Sequence, residues 1–424
     1  MWPDMTRSGL LALLLTVTDR PSGLVGRRAP RNATYRQLLH DMGGYMAEIN
    51  GTCNEQFAAV RDVLSANLDS GADVGASVAV YVDGDAVVDI WGGHSDAAKT
   101  TPWERDTIVN VWSTTKTMTA LCALILADRG EIDFHAPVAR YWPEFKANGK
   151  EQIEVRHLMG HTSGLSGWEE PLVTEDLYDW EKCTSLLAAQ APWWESGTAS
   201  GYHAITQGYL VGEVVRRVTG QSLGTFFRTE LAEPLGADFH IGTPASADAR
   251  ISNVIPPPPL DLGGAFDPNG IGFRSLANPL PNVEAVWTEG WRRAEIPAAG
   301  GHGNARSVGL LQSVLACGGE LGGRRFLSEA GCQTVFEEQS NGTDLALGIP
   351  VRFGMGYGLA TPDMGLPPDA RTCYWGGYGG SIIVIDLDRR VTIAYMMNKM
   401  DSGVVGDLRG FSIVGATRAA LESA

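Results

Sequence analysis

The chain has 424 residues, with 49 acidic against 33 basic side chains and a formal net charge of −16. That balance leaves no basic stripe for a phosphate backbone or an anionic bilayer, so nucleic-acid binding and electrostatic membrane attachment are excluded. At 44% hydrophobic residues the chain is too apolar to be disordered, and 52 glycines with 22 prolines imply many turns in an acidic, soluble, globular protein.

Residues 1–45 read as a disordered extension outside the fold. The apolar run at 9–17 follows Arg7 and is too short for a bilayer, which takes about 20 apolar residues. No small-x-small cleavage site follows closely, so a cytoplasmic location is expected, with a signal peptide as the alternative. Globular patterning begins near Met46, and Phe57, Val60, Val63 and Leu64 mark an amphipathic helix to about Leu68. The β-type runs 76–82 and 86–91 flank Asp83-Gly84, a hairpin signal. Helical patterns follow at 115–128, 206–218, 222–231 and 307–315. The stretch 240–300, rich in glycine and holding Pro256 to Pro259, reads as an irregular segment over the surface. Near the end, β runs at 381–385 and 391–397 flank a charged turn, and a helix from 405 to 421 closes the chain.

Strands at both ends with helices between them predict an α+β fold, in which an antiparallel sheet built from the two chain ends is flanked by helices. Residues 46–110 plus 300–424 form the expected α/β domain, and 111–299 an inserted, mostly helical domain with long loops. The six cysteines (Cys53, Cys122, Cys183, Cys317, Cys332, Cys373) are widely spaced with no C-x-x-C, so reduced thiols are expected rather than a zinc site or disulfide framework.

Three segments could carry chemistry. The pentapeptide Gly220-Gln221-Ser222-Leu223-Gly224 has the form of a nucleophile elbow, but a helical pattern precedes it where an elbow needs a strand, so Ser222 reads as a helix cap. His157 and His161 have a spacing that could hold a metal on a helix. Gly160 and the turn at Thr162-Ser163-Gly164 break that helix, which favours a structural or hydrogen-bonding role. The sharpest signal is Trp112-Ser113-Thr114-Thr115-Lys116. The chain has six lysines, and Lys116 is the one with a serine three positions earlier. It leads into a run apolar on nearly all sides, so Ser113 and Lys116 would share the first turn of a buried helix. Burial there lowers a lysine pKa, and a neutral amine can take the serine proton. The same spacing also fits a surface serine beside a snorkelling lysine. Downstream, Tyr202 lies in a loop before a helix, and Tyr374 to Ser381 runs glycine-rich into a strand, where backbone can approach a ligand closely.

Serine-x-x-lysine, then tyrosine, then a glycine-bearing strand, in this order, resembles the serine β-lactamase and penicillin-binding-protein superfamily. The nearest likeness is to family VIII carboxylesterases, which share the class C β-lactamase fold, and it covers roughly residues 50–424, including the segment 158–165. The resemblance implies Ser113 as nucleophile, Lys116 as first base and Tyr202 as proton shuttle. Trp375, Gly376 and Gly377 then stand where β-lactamases carry lysine–threonine–glycine, and the amides of Ser113 and Tyr378 make an oxyanion hole. It further implies short-acyl ester hydrolysis through an acyl-enzyme, with no metal or cofactor and a small-molecule ester as substrate. Trp375 in place of the lysine, and Tyr202-His203-Ala204 without the usual asparagine, remove polar groups suited to an anionic amide, leaving weak cephalosporin hydrolysis as a side activity. A β-lactamase or D-amino-acid peptidase, or an inactive binding protein on the same fold, are the alternatives; oligomeric state is left open. Trp168, Trp193, Trp194, Trp287 and Trp291, in the loops 165–200 and 240–300, are expected at the pocket rim or as loop-anchoring core.

Overall fold

The hairpin at Asp83-Gly84 begins the sheet. Both turn residues have positive φ, 53° and 85°, the geometry that joins twisted strands in two residues. The computed structural model of the protein describes residues 47–258, 267, 269–280, 282–361 and 370–423; the proposed extension at 1–45 lies outside them. Strands β1 (Ile49–Cys53), β2 (Gly75–Val82) and β3 (Asp85–Gly93) come from the first part of the chain. From the last part come β4 (Ser340–Thr343), β5 (Pro350–Phe353), β6 (Gly358–Leu359), β7 (Thr372–Gly376), β8 (Ile382–Asp386) and β9 (Val391–Met397). Together they make one nine-stranded sheet in the order β1-β3-β2-β9-β8-β7-β6-β5-β4. Every pairing is antiparallel, and the two chain ends meet where β2 pairs β9, from Val82 opposite Val391 to Ala76 opposite Met397. β2 reads as a nearly continuous apolar run because it is covered on both faces, whereas β3 alternates.

Helix α1 (Ala58–Asp69) buries Val60, Leu64 and Leu68, and packs against β1, β3 and the last helix. Helix α2 (Thr115–Asp128) is buried at every position from Thr115 to Leu126 and packs on α3 (Thr206–Thr219). Helix α4 (Ala305–Ala316) covers β2, β8 and β9, and α5 (Leu408–Glu422) closes the chain. The expected start of this last helix at 405 moves to 408, because the Asp407 side chain accepts from the Arg409 and Gly410 amides and caps it.

The segment 240–300 departs from the expected irregular drape. Phe239–His240 and Ile251–Ser252 join Ile108–Asn110 and His302–Gly303 in a second, four-stranded sheet. Two-residue strands give no periodicity a sequence could show. Their consequence is local to the chemistry: Ile108–Asn110 runs straight into the Ser113 turn, and this sheet fixes where that turn starts. No described helix is long and apolar enough to cross a membrane.

Candidate active site

Ser113 lies in a 3-10 turn, Trp112–Thr114, that feeds α2. Trp112 before it takes a left-handed backbone with φ 49°, a costly conformation for a bulky residue and one that persists only when its surroundings enforce it. Here the Val111 amide donates to Gly301 O at 2.9 Å, and Thr115 Oγ1 donates to Trp112 O at 2.6 Å while accepting from Gly301 N at 2.9 Å. On the other side, Ser381 Oγ donates to Val111 O at 2.9 Å and lies 3.0 Å from Thr114 Oγ1. The turn is therefore sutured to both sheets, and Ser113 is 8% exposed within it.

Lys116 sits one turn further on, fully buried. Its Nζ lies in hydrogen-bonding contact with Ser113 Oγ at 3.0 Å, Ala204 O at 2.6 Å and Ala298 O at 3.0 Å. Burial pushes its pKa well below that of an ordinary lysine. A neutral amine has two N–H bonds and one lone pair; two carbonyls take the N–H bonds, and the lone pair is left for the serine O–H. The Ala298 carbonyl is in place because Asn110 Nδ2 donates to the neighbouring Ala299 O at 3.1 Å.

Tyr202 is 1% exposed, in the loop before α3, with its ring centroid 4.8 Å from Lys116 Nζ. Burial raises the phenol pKa, while the nearby Ser113 hydroxyl and the Trp375 indole pull it down and the Asp344 charge pushes it up. Trp375, buried on β7, donates its indole N–H to Tyr202 Oη at 3.1 Å. At the end of β7, a Cβ on Gly377 would stand 2.3 Å from Val111 O and 2.4 Å from Ser381 Oγ, so only glycine lets this strand end lie against the Ser113 turn. The Gly377 amide is spent on Ser381 O, and Tyr378 lays its ring edge-on to Trp112, centroids 5.6 Å apart. Ser113, Lys116, Tyr202 and Trp375 thus form one connected group, and Gly376, Gly377 and Tyr378 abut the Ser113 turn through Val111 and Trp112.

Further residues surround this group. His161, held neutral by burial and by the nearby His203 and Lys116, accepts the His203 amide on Nδ1 at 3.1 Å and packs on Tyr202, Phe353 and Trp375. That is the hydrogen-bonding role the broken helix at Gly160 suggested. His203 reaches Ser163 Oγ at 2.7 Å, and burial takes its pKa down to about 3. Ser381 and Asp344 gave no local signal, because their partners lie far off in the chain. Ser222 caps the short helix Leu223–Phe227, accepting from Thr225 N, so the G-x-S-x-G segment is no elbow. Of the five loop tryptophans, Trp168 and Trp291 are core, Trp193 and Trp194 are half-buried, and Trp287 is 37% exposed. Trp291 packs on Trp112, centroids 5.7 Å apart. Trp168 backs a surface groove of about 530 Å³, with Leu172, Phe273, Arg274 and Leu280 among its lining, which neither Ser113, Lys116 nor Tyr202 lines.

A family profile described as Beta-lactamase matches residues 60–416. The chain belongs to the beta-lactamase family. It is similar to the curated Esterase/beta-lactamase LipL of Mycobacterium tuberculosis, 37% identical over 380 residues covering 86% of each chain. It is also similar to Esterase EstB of Burkholderia gladioli, 26% identical over 372 residues, 79% of this chain and 88% of EstB. Among solved structures, a family VIII carboxylesterase superposes with TM-score 0.82 at 40% identity, over 88% of this chain and all of that one. The resemblance to family VIII carboxylesterases, and the α+β fold it implied, are borne out.

Proposed function

We propose that this protein is a serine carboxylesterase that hydrolyses small, short-acyl, neutral esters through an acyl-enzyme. The observation that carries the reading is Lys116 Nζ, buried with no carboxylate partner among the described residues, facing Ser113 Oγ at 3.0 Å with both its remaining donors engaged. Ser113 attacks the ester carbonyl as Lys116 takes its proton, and the amides of Ser113 and Tyr378 receive the developing oxyanion. Tyr202 Oη, held by the Trp375 indole, carries a proton to the leaving alkoxide. Water then attacks the acyl-serine, Lys116 and Tyr202 again moving the proton, and the acid leaves. Sheet and helical parts both contribute: Trp375 to Tyr378 come from 300–424, and Ser113, Lys116 and Tyr202 from 111–299.

The relatives named esterases, LipL and EstB among them, support the same reading. The indole at Trp375, where β-lactamases place a lysine for the substrate carboxylate, favours neutral esters. Weak β-lactam hydrolysis is the second reading, supported by the double name of LipL. Six unbridged cysteines, five of them buried, support a reducing, cytoplasmic setting.

A fluorophosphonate probe followed by peptide mass spectrometry is expected to place the adduct on Ser113. Ser113→Ala is expected to lower p-nitrophenyl butyrate turnover by about 10³-fold or more with the fold intact. An adduct on Ser222, or a D-Ala-D-Ala peptide turned over faster than the ester and nitrocefin, overturns the assignment.

A further inference from the structure

Every main-chain amide from 201 to 204 is tied. Gly201 N donates to His161 O at 3.0 Å, His203 N to His161 Nδ1 at 3.1 Å, and Ala204 N to Tyr202 O at 2.9 Å. The Tyr202 amide donates to Asp344 Oδ1 at 2.9 Å, across 142 residues of chain. Asp344 is fully buried, one residue beyond β4 in the turn to β5. Its Oδ1 also takes the amides of Ala346 and Leu347, each at 2.9 Å, while Oδ2 has no hydrogen-bond partner among the described residues. A second tie joins the same two loops, Leu345 N to Ser200 O at 2.8 Å.

A buried carboxylate with one oxygen left bare is costly, and an apolar residue would close this turn at less expense. What an apolar residue could not do is accept the Tyr202 amide. That amide begins a segment with two duties: the phenol at 202, and the Ala204 carbonyl that receives Lys116 Nζ at 2.6 Å. Ala346 packs with Tyr202, Phe353 and Trp375 in a small apolar cluster, so the turn that carries Asp344 also walls the phenol.

We propose that Asp344 is a positioning residue for the reaction, its Oδ1 gripping the Tyr202 amide so that the phenol and the Ala204 carbonyl are set against Ser113 and Lys116. The proposal rests on the esterase reading and assigns a hydrogen-bond acceptor to it.

The test compares two butyrate esters. p-Nitrophenolate leaves with little need of a proton, whereas ethoxide needs one, so loss of Tyr202 placement weighs on the ethyl ester. A lowered folded fraction lowers both equally. With rates taken per titrated Ser113, Asp344→Ala is expected to lower kcat for ethyl butyrate at least about tenfold more than for p-nitrophenyl butyrate. Asp344→Asn, which keeps an oxygen acceptor at the same reach, is expected to stay within about threefold of wild type on both esters. If the alanine variant does not fold, Asp344→Ser, too short to serve all three amides, carries the same expected bias. Tyr202→Phe is the control and shows the leaving-group bias by itself. Equal losses on both esters in Asp344→Ala or Asp344→Ser, or an asparagine variant as impaired as alanine, overturn the proposal while Tyr202→Phe keeps its bias. Absence of bias in Tyr202→Phe overturns the proton-carrier role beneath it.

Discussion

Lys116 suits the proposed base role because no carboxylate among the described residues faces it. Carbonyls solvate its two N–H bonds without stabilising an ammonium as a carboxylate does, and burial then favours the neutral amine. Unfolded, the lysine titrates near 10.4; folded, it titrates well below that. The folded state therefore holds fewer protons between the two values, and stability rises with pH through that window. Melting temperatures of wild type and Lys116→Met, measured at pH 7 and pH 10, should shift in relative favour of wild type at the higher pH. A constant difference would show a lysine of ordinary acidity. As the proposed base, Lys116 should lose activity in acid: kcat/KM is expected to fall as pH drops through its lowered pKa.

At the scale of elements, the site is the meeting of a strand end and a helix start. The helix 115–128 and the strand 391–397 were legible as they stand, and the strand 76–82 to within one residue, because an all-round apolar run and β-branched runs bounded by turns are local signals. Ser113 and Lys116 inherit that legibility from spacing on one turn. Ser381 and Asp344 do not: each acts through a contact between distant segments, and nothing beside them in the chain announces it. Trp375 was legible as an indole donor but not as a donor to Tyr202, since the pairing depends on how β7 faces the loop before α3. The glycine at 377 tests the junction. Gly377→Ala should push the strand end off Val111 O and displace the Tyr378 amide, lowering kcat by about 10²-fold, the loss seen when one oxyanion donor is removed. A lowered melting temperature in a protein that still folds, with labelling of Ser113 slowed, is the expected pattern; unchanged kcat would remove Tyr378 from the proposed oxyanion hole.

For the whole molecule, the second sheet ties the segment 240–300 to the strand that leads into the Ser113 turn, and its stability rests partly on charge. Asp238, beside the strand Phe239–His240, is held at a pKa of about 2: burial pushes it up, but His240 and Arg250 pull it further down. Its folded pKa lies below the unfolded value, so its contribution is present above about pH 4 and fades as pH falls towards 2. Partial exposure screens it to about 1 kcal/mol. Asp238→Asn should therefore melt about 2–4 °C lower at pH 7, with the gap closing in acid; a gap independent of pH would assign the effect to something other than ionisation.

The pairing of β2 with β9 has a consequence for how the protein is made. Val82 and its partner Val391 are 309 residues apart (391 − 82). At ribosomal rates of about 5–20 residues per second, β2 waits roughly 15–60 s for its neighbour. During that interval its apolar run 75–82 has only the hairpin with β3 to shelter one edge. Yield in the cell is thus governed by protection of the nascent chain, and a ribosome that stops short of residue 391 releases a sheet with an open, aggregation-prone edge rather than a smaller esterase.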